Sequence, residues 1–303
     1  MRCGAMLDCV IVGAGPAGLT AAIYLGRFRR DFRVVDADAS RAARIPMSRN
    51  HPGFPDGVRG RTLVARMRRQ AERYGAQIVA GRVDRLHRVR SGFRLALATE
   101  ALTARTVLLA TGVVDVEPEI PGVEEAVANG LIRICPICDG YETIGQSVGV
   151  IGRDEHAARE ALFMTTYSDR VSLIHAGPHE ALSANMRHRL DAAGVELVET
   201  PIESVVLDRR RISALCFGPD ATRRFDSLYA ALGVRPQIRL AVDAGAKLDD
   251  SQRLVVSEHQ ETSVPGLYAA GDVVRGLNQI STAEGEGAIA ATHIHNALRA
   301  VTA

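Results

Sequence analysis

Cys135-Pro136-Ile137-Cys138 is the segment of this 303-residue chain that could most directly do chemistry. Two thiols at this spacing can hold half of a zinc site, pack as unrelated core residues, or interconvert between dithiol and disulfide through a thiolate. Zinc asks for four ligands and no second pair stands at a suitable spacing, so no metal site is expected. The adjoining Pro136, Asp139 and Gly140 make two unrelated core cysteines the weaker reading. The other cysteines, Cys3, Cys9 and Cys216, stand alone, and five in all are too few for a disulfide framework. Cys9 falls inside an apolar run and reads as a small core residue.

A second chemistry is written near the start of the chain. Gly13-Ala14-Gly15-Pro16-Ala17-Gly18 follows the apolar run Leu7 to Val12 and opens a helical stretch ending near Gly26. Phe32 to Val35 then reads as a strand closing on Asp36, which stands 21 residues beyond Gly15. Glycines at these positions let the backbone approach a pyrophosphate, and the helix N-terminus favours its charge. A carboxylate about 20 residues on suits an adenosine ribose. A purely structural turn would need no such carboxylate, so a dinucleotide site is the stronger reading.

These residues need elements to hold them. Strand, turn, helix, strand at the N-terminus predicts a parallel sheet. Thr62 to Tyr74 reads as a further helix with Gly75 placed to end it, and Phe93, Leu95 and Leu97 alternate as an added antiparallel strand would. A second unit of the same kind begins at Ser147: Val148 to Ile151, a helix from Glu155 to Tyr167, then Val171 to Ile174. After Gly233-Val234-Arg235-Pro236 come short strands and a last helix from about Thr282 to Arg299. The expected fold is α/β, with two doubly wound, three-layer Rossmann-like domains. One is discontinuous, residues 1–114 and 241–303, and the other, residues 115–240, is inserted and carries the cysteine pair.

Bulk composition excludes more than it assigns. Apolar residues form 47% of the chain and the formal net charge is +2, which favours neither disorder nor nucleic-acid binding. No stretch is long or apolar enough to span a membrane and no secretory pattern is present, so a cytoplasmic location is expected. Lys247 is the only lysine among 37 basic residues. Arginines cluster at Arg27, Arg29 and Arg30 and at Arg66, Arg68, Arg69 and Arg73. A solvated helix face explains them better than a docking patch for an acidic protein.

Two later segments, Ala110-Thr111-Gly112 and Tyr268-Ala269-Ala270-Gly271-Asp272, resemble further motifs of the pyridine nucleotide-disulfide oxidoreductases. With Cys135-Pro136-Ile137-Cys138-Asp139-Gly140, the chain resembles the low-molecular-weight thioredoxin reductases over nearly its whole length. The resemblance implies FAD as cofactor, with Asp272 at its ribityl and pyrophosphate region. Gln279-Ile280-Ser281-Thr282-Ala283 is similar to the segment that faces the flavin ring, and Asn50-His51-Pro52-Gly53-Phe54 is also family-like. It further implies that Cys138 faces and reacts with the flavin, and that Cys135 exchanges with the substrate disulfide. Asp139 would carry the proton, in a homodimer whose inserted domain rotates.

The chain departs from that family at its second nucleotide site. Gly152-Arg153-Asp154-Glu155-His156-Ala157 stands where the family has Gly-Gly-Gly-x-Ser-Ala, and Asp154 replaces the glycine that touches the pyrophosphate. A carboxylate within ~4 Å of a phosphate charge costs on the order of 4 kcal/mol at an effective dielectric of 20. His175-Ala176-Gly177 replaces His-Arg-Arg, whose arginines grip the NADPH 2′-phosphate. NADPH is therefore not the expected reductant, unless Arg153 and Arg170 rebuild a phosphate clamp. Arg41-Ala42-Ala43-Arg44-Ile45-Pro46 also replaces a glycine-rich segment beside the flavin. Both departures resemble atypical branches of the family that lack NADPH motifs.

The expected function is reduction of a thioredoxin-like disulfide through Cys135 and Cys138, with electrons from an acidic, ferredoxin-like protein. The alternatives are a dithiol oxidase, closing a disulfide in a small molecule with oxygen as acceptor, and a flavin redox sensor without turnover. In oxidases of this group histidine often follows the second cysteine; Asp139 in that place favours the reductase. His51, His156 and His175 read as polar contacts or packing residues.

Overall fold

The computed structural model describes residues 6–118, 126, 131–208, 211–217 and 221–300; Cys3 lies outside them. The chain divides into two compact units. The first comprises Met1–Met47, His51–Val114 and Pro236–Ala303, and the second Ser48–Asn50 and Asp115–Arg235. The return to the first unit thus falls at Pro236, before the residue 240 expected from sequence, and Asn50 groups with the second unit rather than the first.

In the first unit, β1 (Leu7–Val12) leads through the glycine turn into the helix Pro16–Arg27 and then β2 (Phe32–Asp36). A short 3-10 turn, Arg41–Arg44, precedes the helix Gly60–Arg73. There follow β3 (Gln77–Ala80), β4 (Val83–Val89), β5 (Gly92–Leu97) and β6 (Ala101–Leu109), and the chain leaves through β7 (Val113–Asp115). β1 is apolar almost throughout because parallel neighbours flank it and both its faces are covered. β5 instead alternates, burying Phe93 and Leu95 while Arg94 faces out, as an antiparallel strand beside β4 and β6 should.

The second unit centres on a five-stranded, wholly parallel sheet of order β11-β10-β9-β15-β8. Its strands are β8 (Ile132–Arg133), β9 (Ser147–Gly152), β10 (Arg170–His175), β11 (Glu196–Val198) and β15 (Ser227–Ala230). Between the last two, β12 (Ser204–Asp208), β13 (Arg211–Cys216) and β14 (Thr222–Arg223) form a separate antiparallel sheet. The helix Glu155–Met164 ends three residues before Tyr167, the end expected from sequence. Leu173, Met164, Leu190 and Tyr229 are among the residues that close a core under it and the helix Ala184–Ala192.

The chain returns through β16 (Val234–Pro236), adds β17 (Leu267–Ala269) and ends in the helix Ile280–Ala300. The first unit's sheet then runs β3-β2-β1-β6-β5-β4, with β17 also paired to β6. Cores lie on both of its faces, one including Ile11, Leu19, Met67 and Ile294 under the helices, the other Val10, Phe93, Val107 and Val274. Gly287 lets the C-terminal helix approach the first helix, since a Cβ there would stand 2.3 Å from the Ala17 carbonyl oxygen.

Register positions the motifs. Val12 pairs with Val35 on one side and Leu109 on the other, and Leu109 pairs with Ala269. All four strands are parallel, so Gly13, Asp36, Ala110 and Ala270 emerge side by side at their carboxyl ends. β1 is flanked by β2 and β6, and this change of direction is where an open α/β sheet leaves a crevice for a ligand.

Candidate active site

In the first unit the glycine turn is built for close approach. Gly13 has φ +108°, and a Cβ on it would meet the Ala110 carbonyl oxygen at 2.3 Å. A Cβ on Gly18 would come within 1.9 Å of the Gly13 carbonyl oxygen, so both glycines hold the turn itself. Gly15 differs: the nearest atom to its Cβ would be Ser40 Oγ at 3.7 Å. Gly15 caps the helix without a side-chain hydrogen bond and Pro16 begins it, leaving first-turn amides to an anion. Ser40 Oγ is buried with no hydrogen-bond partner, the condition of a group that waits for a ligand.

Asp36 and Asp272 already have basic partners. Asp36 Oδ2 pairs with Arg68 from the helix Gly60–Arg73, and Oδ1 accepts from the amide of Asp38 at 3.1 Å. Asp272 lies 3.3 Å from Arg41 Nη1, and Arg253 donates to its main-chain carbonyl. Arg41 thus offsets the Asp272 carboxylate where a pyrophosphate would otherwise meet it. Gly271 N donates to Glu286 Oε2 at 2.7 Å, and burial raises that carboxyl above its ordinary pKa. Thr111 Oγ1 donates to the Gln237 carbonyl at 2.7 Å, and Gln237 N to the Gly112 carbonyl at 2.9 Å. Gln279 immediately precedes the C-terminal helix, which Ile280 begins; its carbonyl accepts from Ala283 N at 3.0 Å. Asn50 Oδ1 accepts from Ser48 Oγ at 3.2 Å. Within the first unit, the predicted cofactor residues come together at one end of its sheet. They fit a dinucleotide such as FAD.

In the second unit Cys135 and Cys138 form a disulfide, with Sγ–Sγ 2.01 Å. Cys135 is extended and caps the short helix Pro136–Asp139, and Cys138 N donates to its carbonyl at 3.0 Å. Pro136, at the first helical position, suits this turn because the missing N–H would have no partner there. Asp139 follows directly. Its Oδ2 is 3.0 Å from Arg133 Nη1 and its Oδ1 accepts from the Tyr229 hydroxyl at 2.7 Å. Burial raises the Asp139 carboxyl above its ordinary pKa, and the Arg133 charge opposes that rise. Among the described residues no group of three or more His, Cys, Asp or Glu could hold a metal ion.

The loop after β9 is closed from within. Asp154 caps the helix Glu155–Met164, its Oδ1 accepting from His156 N at 3.0 Å and Ala157 N at 3.2 Å. The amides that would grip a phosphate are thus bonded to a carboxylate of the chain itself. Arg170, one half of the alternative clamp expected from sequence, stands at the opposite end of β10 from this loop. Arg170 pairs with Ser147 and donates to the Gly145 carbonyl at 2.7 Å. His175, at the other end of β10, pairs with Gly152. Five residues of strand put about 17 Å between the two ends. These residues do not fit a pyridine dinucleotide as its usual fingerprint would.

Comparison with known proteins shows the family. The family profile described as pyridine nucleotide-disulphide oxidoreductase matches residues 7–287. The chain belongs to this family. A thioredoxin reductase of Treponema pallidum is 32% identical, the match covering 94% of each chain. The solved thioredoxin reductase from Streptococcus pyogenes has a TM-score of 0.90 at 25% identity, over 98% of this chain and 99% of that one. The structure described as an atypical thioredoxin reductase from Desulfovibrio vulgaris Hildenborough is 33% identical. Its TM-score is 0.54, over 96% of this chain and 97% of that one.

The sheet ends carry the motifs, but several of their partners are not marked in the sequence. Arg68, Arg41, Glu286, Arg133 and Tyr229 each bond a motif residue. Arg41 and Arg68 lie in segments that the sequence singles out, but no spacing ties any of the five to its partner. Of the three histidines, His51 Nε2 is 3.1 Å from Glu284, His156 pairs with Glu160, and His175 is buried.

Proposed function

We propose that this family member is an FAD-dependent oxidoreductase that reduces a thioredoxin-type disulfide through Cys135 and Cys138, using a donor other than NADPH. One observation carries the donor argument: Asp154 occupies the amides that a nucleotide phosphate needs. Gly13, Gly15, Gly18, Asp36, Thr111, Gly112, Gly271, Asp272, Gln279 and Ile280 would hold FAD. When bound, FAD supplies the two-electron chemistry that returns the Cys135–Cys138 disulfide to a dithiol.

From the dithiol, the Cys135 thiolate attacks the substrate disulfide and releases the first substrate thiolate, which takes a proton from solvent. Ionised Asp139 takes the proton of the Cys138 thiol, and Cys138 then attacks Cys135 Sγ. The internal disulfide re-forms and the second substrate thiolate leaves, receiving that proton from Asp139. Two electrons pass to the substrate. Ile137, Tyr141 and Ile144 are 50%, 71% and 58% exposed around the disulfide, an apolar surface suited to a protein substrate.

A ferredoxin-like donor fits the energetics. Plant-type ferredoxins lie near about −400 mV and thioredoxin near about −270 mV, so two electrons fall through roughly 6 kcal/mol. An anaerobic absorbance spectrum of the FAD-loaded protein tests the reading. NADPH should leave the oxidised flavin band in place and dithiothreitol should bleach it. Rapid bleaching by NADPH would overturn the donor argument, and rapid reoxidation by oxygen with dithiol turnover would favour an oxidase.

A further inference from the structure

β8 and β15 are parallel neighbours with Tyr229 opposite Arg133, and both side chains reach Asp139. Arg133 Nη1 is 3.0 Å from Oδ2 and the Tyr229 hydroxyl donates to Oδ1 at 2.7 Å, so each carboxylate oxygen has its own donor. Arg133 also donates to the Asp139 main-chain carbonyl at 3.3 Å, and its guanidinium lies 6.0 Å from the centroid of the Tyr229 ring. Tyr229 is 0% exposed and belongs to the core of its unit. A buried hydroxyl there is costly without a partner, and phenylalanine would fill the same space. Asp139 is the partner that the hydroxyl has.

We propose that Arg133 and Tyr229 are positioning residues that set the proton affinity of Asp139, and thereby the pH range over which the cysteine pair exchanges with its substrate. The proposal rests on the reading of Asp139 as proton carrier. A carrier must release a proton and regain it, which works best when its two states are close in energy at the working pH. Burial and the nearby Glu142 charge favour the protonated carboxyl; Arg133 and Tyr229 favour the carboxylate. Tyr167, from the turn after the helix Glu155–Met164, points its ring at Gly140. Removing either donor should therefore leave Asp139 protonated to higher pH.

The test measures iodoacetamide alkylation of the dithiothreitol-reduced holoprotein from pH 4 to 10, each cysteine followed by mass spectrometry. Ionisation of Asp139 disfavours a neighbouring thiolate, so it should add its own inflection to the rate profile. Asp139→Asn should delete that inflection. Tyr229→Phe and Arg133→Gln should each move it upward by about one pH unit, and neither should alter the profile in the Asp139→Asn background. An inflection absent in Asp139→Asn but unmoved by both Tyr229→Phe and Arg133→Gln would overturn the positioning role alone. A profile that Asp139→Asn leaves unchanged would overturn the proton-carrier reading and the proposal with it. Urea midpoints for all variants separate these outcomes from unfolding, and Arg133→Gln serves if Tyr229→Phe does not fold.

Discussion

Gly177 packs so tightly on Arg153 that a Cβ there would stand 2.2 Å from the Arg153 carbonyl oxygen. The turns after β9 and β10 therefore meet backbone to backbone, beside the helix that Asp154 caps. Asp154→Gly combined with Ala176→Arg should restore a phosphate-facing amide and a cation. Anaerobic bleaching by NADPH should then become at least about tenfold faster, since each removed or added charge contact is worth on the order of 1.4 kcal/mol or more. The lost cap costs only a few tenths of a kcal/mol when glycine replaces it. Unchanged NADPH reactivity in a folded, FAD-loaded variant would mean that Asp154 is not what disables the site.

Two glycines of the first turn should respond differently to one methyl group. Gly18→Ala would press against the Gly13 carbonyl at 1.9 Å, so we expect loss of folded protein. In Gly15→Ala the new carbon meets nothing closer than Ser40 Oγ at 3.7 Å. That variant should fold, yet hold FAD at least about tenfold more weakly, because the methyl group stands where the backbone approaches the pyrophosphate. Thermal melting with and without added FAD checks both, and equal FAD affinity for Gly15→Ala and wild type would remove Gly15 from the site.

What was legible in the sequence was local. Gly13, Gly15 and Gly18 mark their turn by spacing, and Asp36 marks the end of β2, because strand, turn and helix follow one another along the chain. Asp139 could be named because it adjoins Cys138. Its partner Tyr229 lies 90 residues further on and reaches it only because β15 and β8 are neighbours, a consequence of sheet order that no spacing encodes. Arg68 escapes notice for the same reason: it stands 32 residues from Asp36 on a helix that reads as a solvated arginine face. Asp154 stands out in the sequence as a departure from the dinucleotide fingerprint. Its role as a helix cap needed the structure, since capping depends on where the helix starts.

The histidine beside that cap gives a pH dependence of known sign. His156 Nε2 lies 3.1 Å from Glu160 Oε1 one turn along the helix, and this hydrogen bond raises the histidine pKa above its ordinary value. A raised folded-state pKa contributes stability that is fully present below the unfolded value of 6.5 and is lost as pH rises through the folded value. The histidine side chain is 48% exposed, so solvent screening holds the pair to a few tenths of a kcal/mol. Glu160→Gln should therefore lower the urea midpoint at pH 5.5 more than at pH 9. Equal losses at both values would show that the pair carries no titration-linked stability.

The disulfide itself should contribute stability apart from its chemistry. Cys135 and Cys138 close a loop with a sequence separation of three, among the shortest a disulfide can bridge. Chain-entropy arguments assign such a loop about 2 kcal/mol, through constraint of the unfolded state. Cys135→Ser and Cys138→Ser should both abolish multiple-turnover reduction of a substrate disulfide, since each cycle needs both sulfurs. In oxidising buffer each should also unfold about 2 kcal/mol more readily than wild type, and wild type should lose the same amount on reduction with dithiothreitol. If reduction left the wild-type urea transition unchanged, the pair would be free to cycle with no conformational cost. Stability of the second unit would then be independent of its redox state.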